Sequence, residues 1–564
     1  MTTNIQDTYR NAKNERQKHV DAVLASQAKK KIVVAGPGTG KTHLFTKVLE
    51  DKDKNRTLTL TFINALVEDL SLELCGLSDV KTLHGFARTA LAATGKNVKV
   101  FPKLSAIIKE DAQIILKSDI NFDRLFHTRD DDNAHILFYK KRKDYYGHYG
   151  YADIVFAIVK LFEIKREKIP TYEQVVVDEF QDFNKLEVSL IELLAEKSPV
   201  LLAGDDDQAL YDFKDASPEY IRQKHGDPNS GYAHFELPFC SRCARVIVEA
   251  ANDVILNATA NGCLKGRINK RYQYFENEEK DKDSTRNPRL IHTHSFEKQI
   301  PWFIKQQLGK IAEQERRKFT VLIISPTKLK SRDIVEKLKE KGLERVEFVE
   351  RRDGNEPSLL DGLKLLLEDK HSNLGWRIAA KFFVTEEQFD SIIKASNADG
   401  AKAMCELINA DAKGGIGEAV RTLKAVRDSK TIDDAALDKM FGMIGYAPRE
   451  IAKDILRSEI RLSAQRIGDA SLRKLPITAT TIQSSKGLAA DYVFITHLDD
   501  RYFIKNKDKT IVSDQDICNF LVALTRAKRK VFLISSDARN RPTFLKWIAK
   551  DRIDEIEFKP KDSE

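Results

Sequence analysis

The sequence predicts an α/β protein with two parallel sheets flanked by helices, each core carrying a mostly helical insertion. Three observations predict it. Short apolar runs alternate with stretches of helical composition, the pattern of strand–helix–strand crossovers. The runs are continuous rather than alternating, as in strands buried on both faces. They fall into two groups on either side of a polar, charged stretch at 276–287, which reads as a linker or loop.

In the first group, Lys31–Val34, Val175–Val177 and Val200–Ala203 read as buried parallel strands. In the second, strand-like runs recur at Leu290–His292, Val321–Ile324, Tyr492–Ile495 and Val531–Ile534. Two segments rich in Ala, Leu, Lys and Glu interrupt these cores and read as helices. The expected organisation is a first core at 1–89 and 152–275 with an insertion at 90–151. A second core at 276–354 and 473–564 carries an insertion at 355–472. No repeat of fixed period and no low-complexity tract is visible.

With 564 residues, 42% of them apolar and 32% charged, the chain has the composition of a globular protein of several domains, not a disordered or fibrous one. The formal charge of +9 fits a polyanionic partner without requiring one. No apolar run is long enough to cross a bilayer, and the N-terminal segment lacks the apolar stretch of a secretion signal, so a cytoplasmic address is expected. Six cysteines in such a length are not a disulfide framework. Cys240 and Cys243 form one CxxC, with His234 and Cys263 as further candidates, but the second close pair of a zinc site is missing.

The segment KIVVAGPGTGKTHLF reads as a strand, a Gly-rich turn and the start of a helix. Gly36, Gly38 and Gly40 let the backbone curl so that several N–H groups converge, and a helix N-terminus adds to the site for phosphate oxygens. Ala35, Gly36, Pro37, Gly38, Thr39, Gly40, Lys41, Thr42 and His43 are therefore the candidate nucleotide-binding set. Lys41 is expected to reach the β- and γ-phosphates, and the Thr42 hydroxyl to hold Mg²⁺. Downstream, VVVDEFQDFN is an apolar strand ending in two carboxylates, at the sheet edge where ligands of open α/β sheets gather. Asp178 suits a Mg²⁺ contact and Glu179 the base that polarises an attacking water. In LLAGDDDQALYDF a third strand ends in a turn, with Gln208 placed to sense a γ-phosphate. Tyr211 and Phe213 follow; core packing is the ordinary role of such aromatics taken singly.

These blocks, in this order, resemble superfamily 1A helicases of the UvrD/Rep/PcrA type. FELPFCSRCARVI resembles the fourth motif of that family, ITATTIQSSKGLAADYVFI the fifth, including Gly487, and FLVALTRAKRKVFLI the sixth. NERQ resembles the Q motif, TLTFINALVEDL motif Ia and VKTLHGFARTAL motif Ib. The resemblance implies two RecA-like P-loop cores with ATP between them and Mg²⁺ as cofactor. Arg242 and Arg526 would face the γ-phosphate, and Gln17 would read adenine. Phe62, Asn64, Thr82, His84, Tyr211 and Phe213 would contact the nucleic acid. It implies 3′→5′ movement on single-stranded DNA or a tailed duplex, in DNA repair or phage defence. A partner nuclease is implied by a further likeness to the helicase-like subunit of anti-phage systems such as Gabija; a nucleotide-gated sensor with little unwinding is the alternative.

The sequence departs from the family at several positions: His43 for Arg, Ala65 for Lys, Cys240-Ser241 for Asn-Tyr, Ala489 for Glu, and Gln515-Asp516 for a Glu pair. The stretch FYKKRKDYYGHYGYAD interleaves Lys and Arg with Tyr. It reads equally as a strand-binding surface or as a basic helix leading into a packed aromatic turn.

Overall fold

The computed structural model describes residues 2–62, 64–210, 214–278, 289–315, 318–343, 345–349, 356–429, 477–537 and 540–558. The chain divides into two compact units. One comprises 1–83, 162–351 and 474–564; the other comprises 84–161 and 352–473.

Among the described residues, the first unit holds two large parallel sheets and a short two-stranded one. Strands β1 (Lys30–Ala35), β2 (Thr57–Thr61), β3 (Asp79–Thr82), β4 (Gln174–Val177), β5 (Val200–Gly204) and β6 (Ala233–Leu237) lie in the order β3-β2-β4-β5-β1-β6. After a short parallel pair, β7 (Phe239–Cys240) with β8 (Gln273–Tyr274), come β9 (Leu290–His294), β10 (Val321–Ser325) and β11 (Val346–Phe348). These join β12 (Ile477–Thr481), β13 (Ala490–Ile495), β14 (Ala527–Ser535) and β15 (Ile553–Glu555) in a seven-stranded sheet ordered β11-β12-β10-β13-β14-β9-β15. All seven strands expected from the sequence lie inside β1, β4, β5, β9, β10, β13 and β14. The two-sheet α/β class is the one predicted.

Register positions the functional groups. Val34 pairs with Gly204, and Val177 with Leu202, so the carboxyl ends of β1, β4 and β5 end at one edge. The turns carrying Gly36–Gly40, Asp178-Glu179 and Asp205–Gln208 all leave from that edge. Central strands β5 and β10 are buried along their whole length. That burial is why they read as unbroken apolar runs.

The second unit is helical. Its helices include Leu104–Leu116, Phe122–His127, His135–Tyr146 and Tyr151–Ile164 from the first insertion, and Leu359–Glu368, Asn373–Ala380 and Glu386–Ala395 from the second. A buried carboxylate joins the two. Asp111 accepts from Arg142 Nε at 2.9 Å, from Arg377 Nη2 at 2.8 Å and from the Tyr146 hydroxyl at 2.6 Å. Arg142 and Arg377 are both 1% exposed. Of the two readings of the basic-aromatic stretch, packing therefore holds for Tyr139, Arg142 and Tyr146, which are buried. Lys141 pairs with Asp399 at 2.8 Å, and Lys143 lies 4.3 Å from the Tyr149 ring centre. Among the described residues, no helix is long and apolar enough to cross a membrane.

Asp153, in the same unit, accepts from the Tyr139 hydroxyl at 3.0 Å and from the Gly150 N–H through one oxygen. Its other oxygen is buried with no partner among the described residues. Burial pushes its pKa up to about 7. A raised carboxyl pKa means that the folded state holds a proton the unfolded chain has released. The associated stability is complete below the unfolded value of about 3.9 and is lost as pH rises through about 7. The thermal midpoint of the wild-type protein is expected to fall between pH 6 and pH 8 by more than that of Asp153→Asn, as read by parallel melting curves.

Candidate nucleoside-triphosphate site

The phosphate loop follows from its glycines. Gly38 and Gly40 take φ of +72° and +99°, in the left-handed region that residues with a Cβ avoid. Gly40 caps helix Lys41–Leu49 without a side-chain bond, leaving the first N–H groups of the helix for a ligand. The loop is closed by Thr39, whose hydroxyl donates to Gly36 O at 3.0 Å. It is held from outside by Tyr272, which no motif announced, and by Ser241 of the FELPFCSRCARVI segment. The Tyr272 hydroxyl donates to Pro37 O at 3.1 Å, and Ser241 donates to Gly38 O through its N–H at 2.9 Å and its hydroxyl at 3.2 Å. A Cβ at Gly38 would sit 2.3 Å from Arg242 Cβ, so Arg242 is packed against the loop.

The carboxylates stand at the end of β4. Asp178 N–H donates to Leu60 O at 2.9 Å, and Glu179 takes φ of +56°. A left-handed glutamate is strained, and such strain is kept where the surroundings over-determine it. Here Gln181 Nε2 donates to Glu179 Oε2 at 2.6 Å, while Lys41 Nζ and Lys486 Nζ each lie 3.5 Å from its carboxylate. Burial opposes the Glu179 charge, but Lys41, Lys486, that hydrogen bond and Arg526 outweigh it and hold the pKa below the usual range. Asp178 moves the other way, raised by burial and by the neighbouring Glu179 charge. Its Oδ1 is buried and has no partner among the described residues. An orphaned carboxylate oxygen within electrostatic reach of Lys41 fits a divalent cation, the hard ion that oxygen ligands select.

Residues of the second sheet complete the network. Lys486, in the crossover from β12 to β13, is 1% exposed; it pairs with Asp182 and donates to Gln208 O at 2.8 Å. Arg526, just before β14, donates to Gln208 Oε1 at 3.1 Å and is anchored by Val522 O at 2.9 Å. Burial and the like charge of Arg242 lower its pKa to about 10. Gln208 in turn donates to Asp205 Oδ2 at 2.7 Å, and the Asp205 N–H donates to Gln181 Oε1 at 2.9 Å. Gly487 takes φ of +85° immediately after Lys486.

Other expected residues are placed differently. Gln17 is exposed on helix Thr2–Ala25, with its amide on Asp21 at 2.8 Å. The cleft beside the phosphate loop is lined instead by Arg16, His19, Val20, Thr39, Gly40, His43 and Phe239. Helical periodicity explains this: positions 16, 19 and 20 share a face that position 17 leaves. Phe62 is buried, edge-on to Phe183 with ring centres 5.8 Å apart, and Lys214 lies 5.2 Å from its ring centre. It is thus not an open stacking platform. Thr82 ends β3 half-buried, and the His84 ring lies 4.6 Å from that of Tyr151. The Asn64 side chain, Tyr211 and Phe213 lie outside the described residues. Among the described residues, Cys240, Cys243 and Cys263 form no disulfide.

The fold and this site define a protein of two RecA-like P-loop cores. The UvrD/REP helicase N-terminal domain family matches residues 14–141 and 127–229. It is 25% identical to DNA helicase II of Haemophilus influenzae over 280 residues, 40% of this chain and 38% of that one. It is 24% identical to the ATP-dependent DNA helicase PcrA of Staphylococcus aureus over 277 residues, with the same shares covered. A probable DNA helicase II homolog of Mycoplasma capricolum is 23% identical over 243 residues, 34% of each chain. The chain thus spans well under half the length of the curated relatives it matches.

Gly38→Ala is expected to weaken nucleotide binding at least tenfold, since left-handed strain of about 1–2 kcal/mol adds to the clash with Arg242. Titration with a fluorescent ADP analogue, with circular dichroism to show an intact fold, measures it.

Proposed function

We propose that this chain is an ATP-driven motor that moves 3′→5′ along single-stranded DNA and displaces the strand ahead of it. One observation carries the reading: the Glu179 carboxylate, from the first sheet, sits between Lys41 of its own core and Lys486 of the second. In this proposal ATP lies between the cores, with its phosphates on the Gly36–Thr42 backbone. Thr42 and Asp178 would hold Mg²⁺, which when bound offsets phosphate charge. Glu179, kept ionised by its cations, accepts the proton of the attacking water. Gln208 and Arg526 face the γ-phosphate as a pair, and Arg242 approaches from the phosphate-loop side. Their charges stabilise what develops on the transferred phosphoryl group. Closure on ATP and release after hydrolysis then drive the step.

The DNA contacts are a proposal on the same footing. Thr82, His84, Asn64, Tyr211 and Phe213 are the residues assigned to the strand, and an aromatic platform there would contribute about 1–3 kcal/mol per stacked base. The division into two cores, each with its insertion, belongs to this reading, as does a role in repair or phage defence beside a nuclease.

Turnover of ATP is expected to rise at least about tenfold with single-stranded DNA, and a 3′-tailed duplex should be unwound while a 5′-tailed one is not. Lys41→Ala is expected to lose turnover altogether, because the ammonium acts on phosphate charge. Undiminished hydrolysis in that variant would remove the site assignment. ATP binding without strand displacement, with a nuclease co-purifying, would favour a nucleotide-gated subunit.

A further inference from the structure

The sequence run Asp205-Asp206-Asp207 places three buried carboxylates within reach of one another. Three such groups are costly to bury without compensating cations. The compensation comes from a segment no motif marked. Arg267 grips Asp207 with two bonds of 2.7 and 2.8 Å, and Arg222 reaches Asp206 at 3.0 Å. Lys270, 4% exposed at its side chain, is bonded to all three: Asp205 at 2.6 Å, Asp207 at 2.9 Å, and Asp206. Burial disfavours its charge, but the three carboxylates overcome that and hold its pKa well above the ordinary ammonium value.

The consequence lies in the second oxygen of Asp205. Oδ1 faces Lys270, and Oδ2 accepts from the amide of Gln208 at 2.7 Å. That bond decides which end of the amide is which: its NH₂ is committed to Asp205, so its oxygen is presented to Arg526 at 3.1 Å. The segment carrying Lys270 also reaches the phosphate loop two residues later, through Tyr272 on Pro37 O. It then pairs as β8 with β7, the strand directly before Ser241 and Arg242. One stretch of chain therefore touches the carboxylate that holds Gln208, the phosphate loop and the strand before Arg242.

We infer that Lys270 is a positioning residue for ATP hydrolysis, fixing the Asp205 carboxylate so that Gln208 is held in one orientation toward the γ-phosphate and Arg526. The inference rests on the reading of Gln208 as a γ-phosphate sensor given above. Lys270 touches no nucleotide itself; its effect passes through Asp205 to Gln208.

A double-mutant cycle on the full chain tests it, with DNA-stimulated ATP turnover measured for wild type, Lys270→Met, Gln208→Ala and the double variant. Lys270→Met is expected to lower kcat by about 10- to 100-fold, with affinity for a fluorescent ADP analogue changed by no more than about threefold. In the Gln208→Ala background it is expected to lower kcat by no more than about twofold, because the group it positions is gone. Equal factors in the two backgrounds, or an unchanged kcat with only a lower melting temperature, would overturn the inference and leave Lys270 a structural counter-charge. Should Lys270→Met not fold, Asp205→Asn removes one of the three negative charges and the same link. It is expected to show the same non-additivity with Gln208→Ala, and additivity there overturns the inference equally. A wild-type chain without ATP turnover, or a Gln208→Ala variant at the wild-type rate, would instead overturn the underlying reading of the site.

Discussion

The ammonium of Lys486 is the contact on which the rest of the site depends. It comes from the second sheet's crossover, is almost wholly buried, and meets Asp182, the Gln208 carbonyl and the edge of Glu179, all from the first sheet. A buried cation is tolerated only where acids and carbonyls replace its water. Burial alone would raise the pKa of Asp182, which stands at about 6 even with Lys486 beside it. The interaction thus makes each sheet incomplete without the other. Remove the cation, and Asp182 and Glu179 face each other as like charges in a low-dielectric site.

From that contact the geometry spreads in two directions. Toward the phosphate loop, Glu179 is held in a left-handed conformation by Gln181, Lys41 and Lys486, so its carboxylate is fixed in advance. Toward the sensor loop, Gln181 also accepts from the Asp205 N–H, and Asp205 in turn holds Gln208 against Arg526. The chain of bonds from Glu179 to Arg526 is continuous, and every side chain in it is buried. Such preorganised polar groups act where charge develops without further rearrangement. The helical second unit uses the same physics for another end: Asp111, with two arginines and a tyrosine, joins the two insertions.

The sequence disclosed part of this for identifiable reasons. Strands β1, β4 and β5 are legible because burial on both faces leaves continuous Val, Ile and Leu. Strands β2 and β12 are not, because they bury threonines whose hydroxyls find acceptors elsewhere in the folded chain. Thr57 donates to Leu77 O at 2.7 Å, Thr59 to Ser78 Oγ at 2.8 Å, and Thr480 to Val349 O at 2.7 Å. Lys41, Glu179 and Gln208 were legible because phosphate chemistry asks for such groups beyond strand ends, and Arg526 only through the resemblance of its motif; the structure brings the four together. Lys270 and Tyr272 carry no such signature, since their partners are distant in sequence and only the folded chain makes them neighbours. Gln17 and Phe62 show the converse. Motif position alone does not say which way a helix face turns or whether a ring is covered.

Replacing Lys486 by Met keeps the length of the side chain and removes the charge that joins the sheets. Nucleotide affinity and single-turnover hydrolysis are measured side by side. Hydrolysis is expected to slow by about 100-fold or more, as when a preorganised charge-stabilising donor is lost, with ADP affinity within about threefold of wild type. Hydrolysis at the wild-type rate in this variant would contradict the dependence of the site on Lys486.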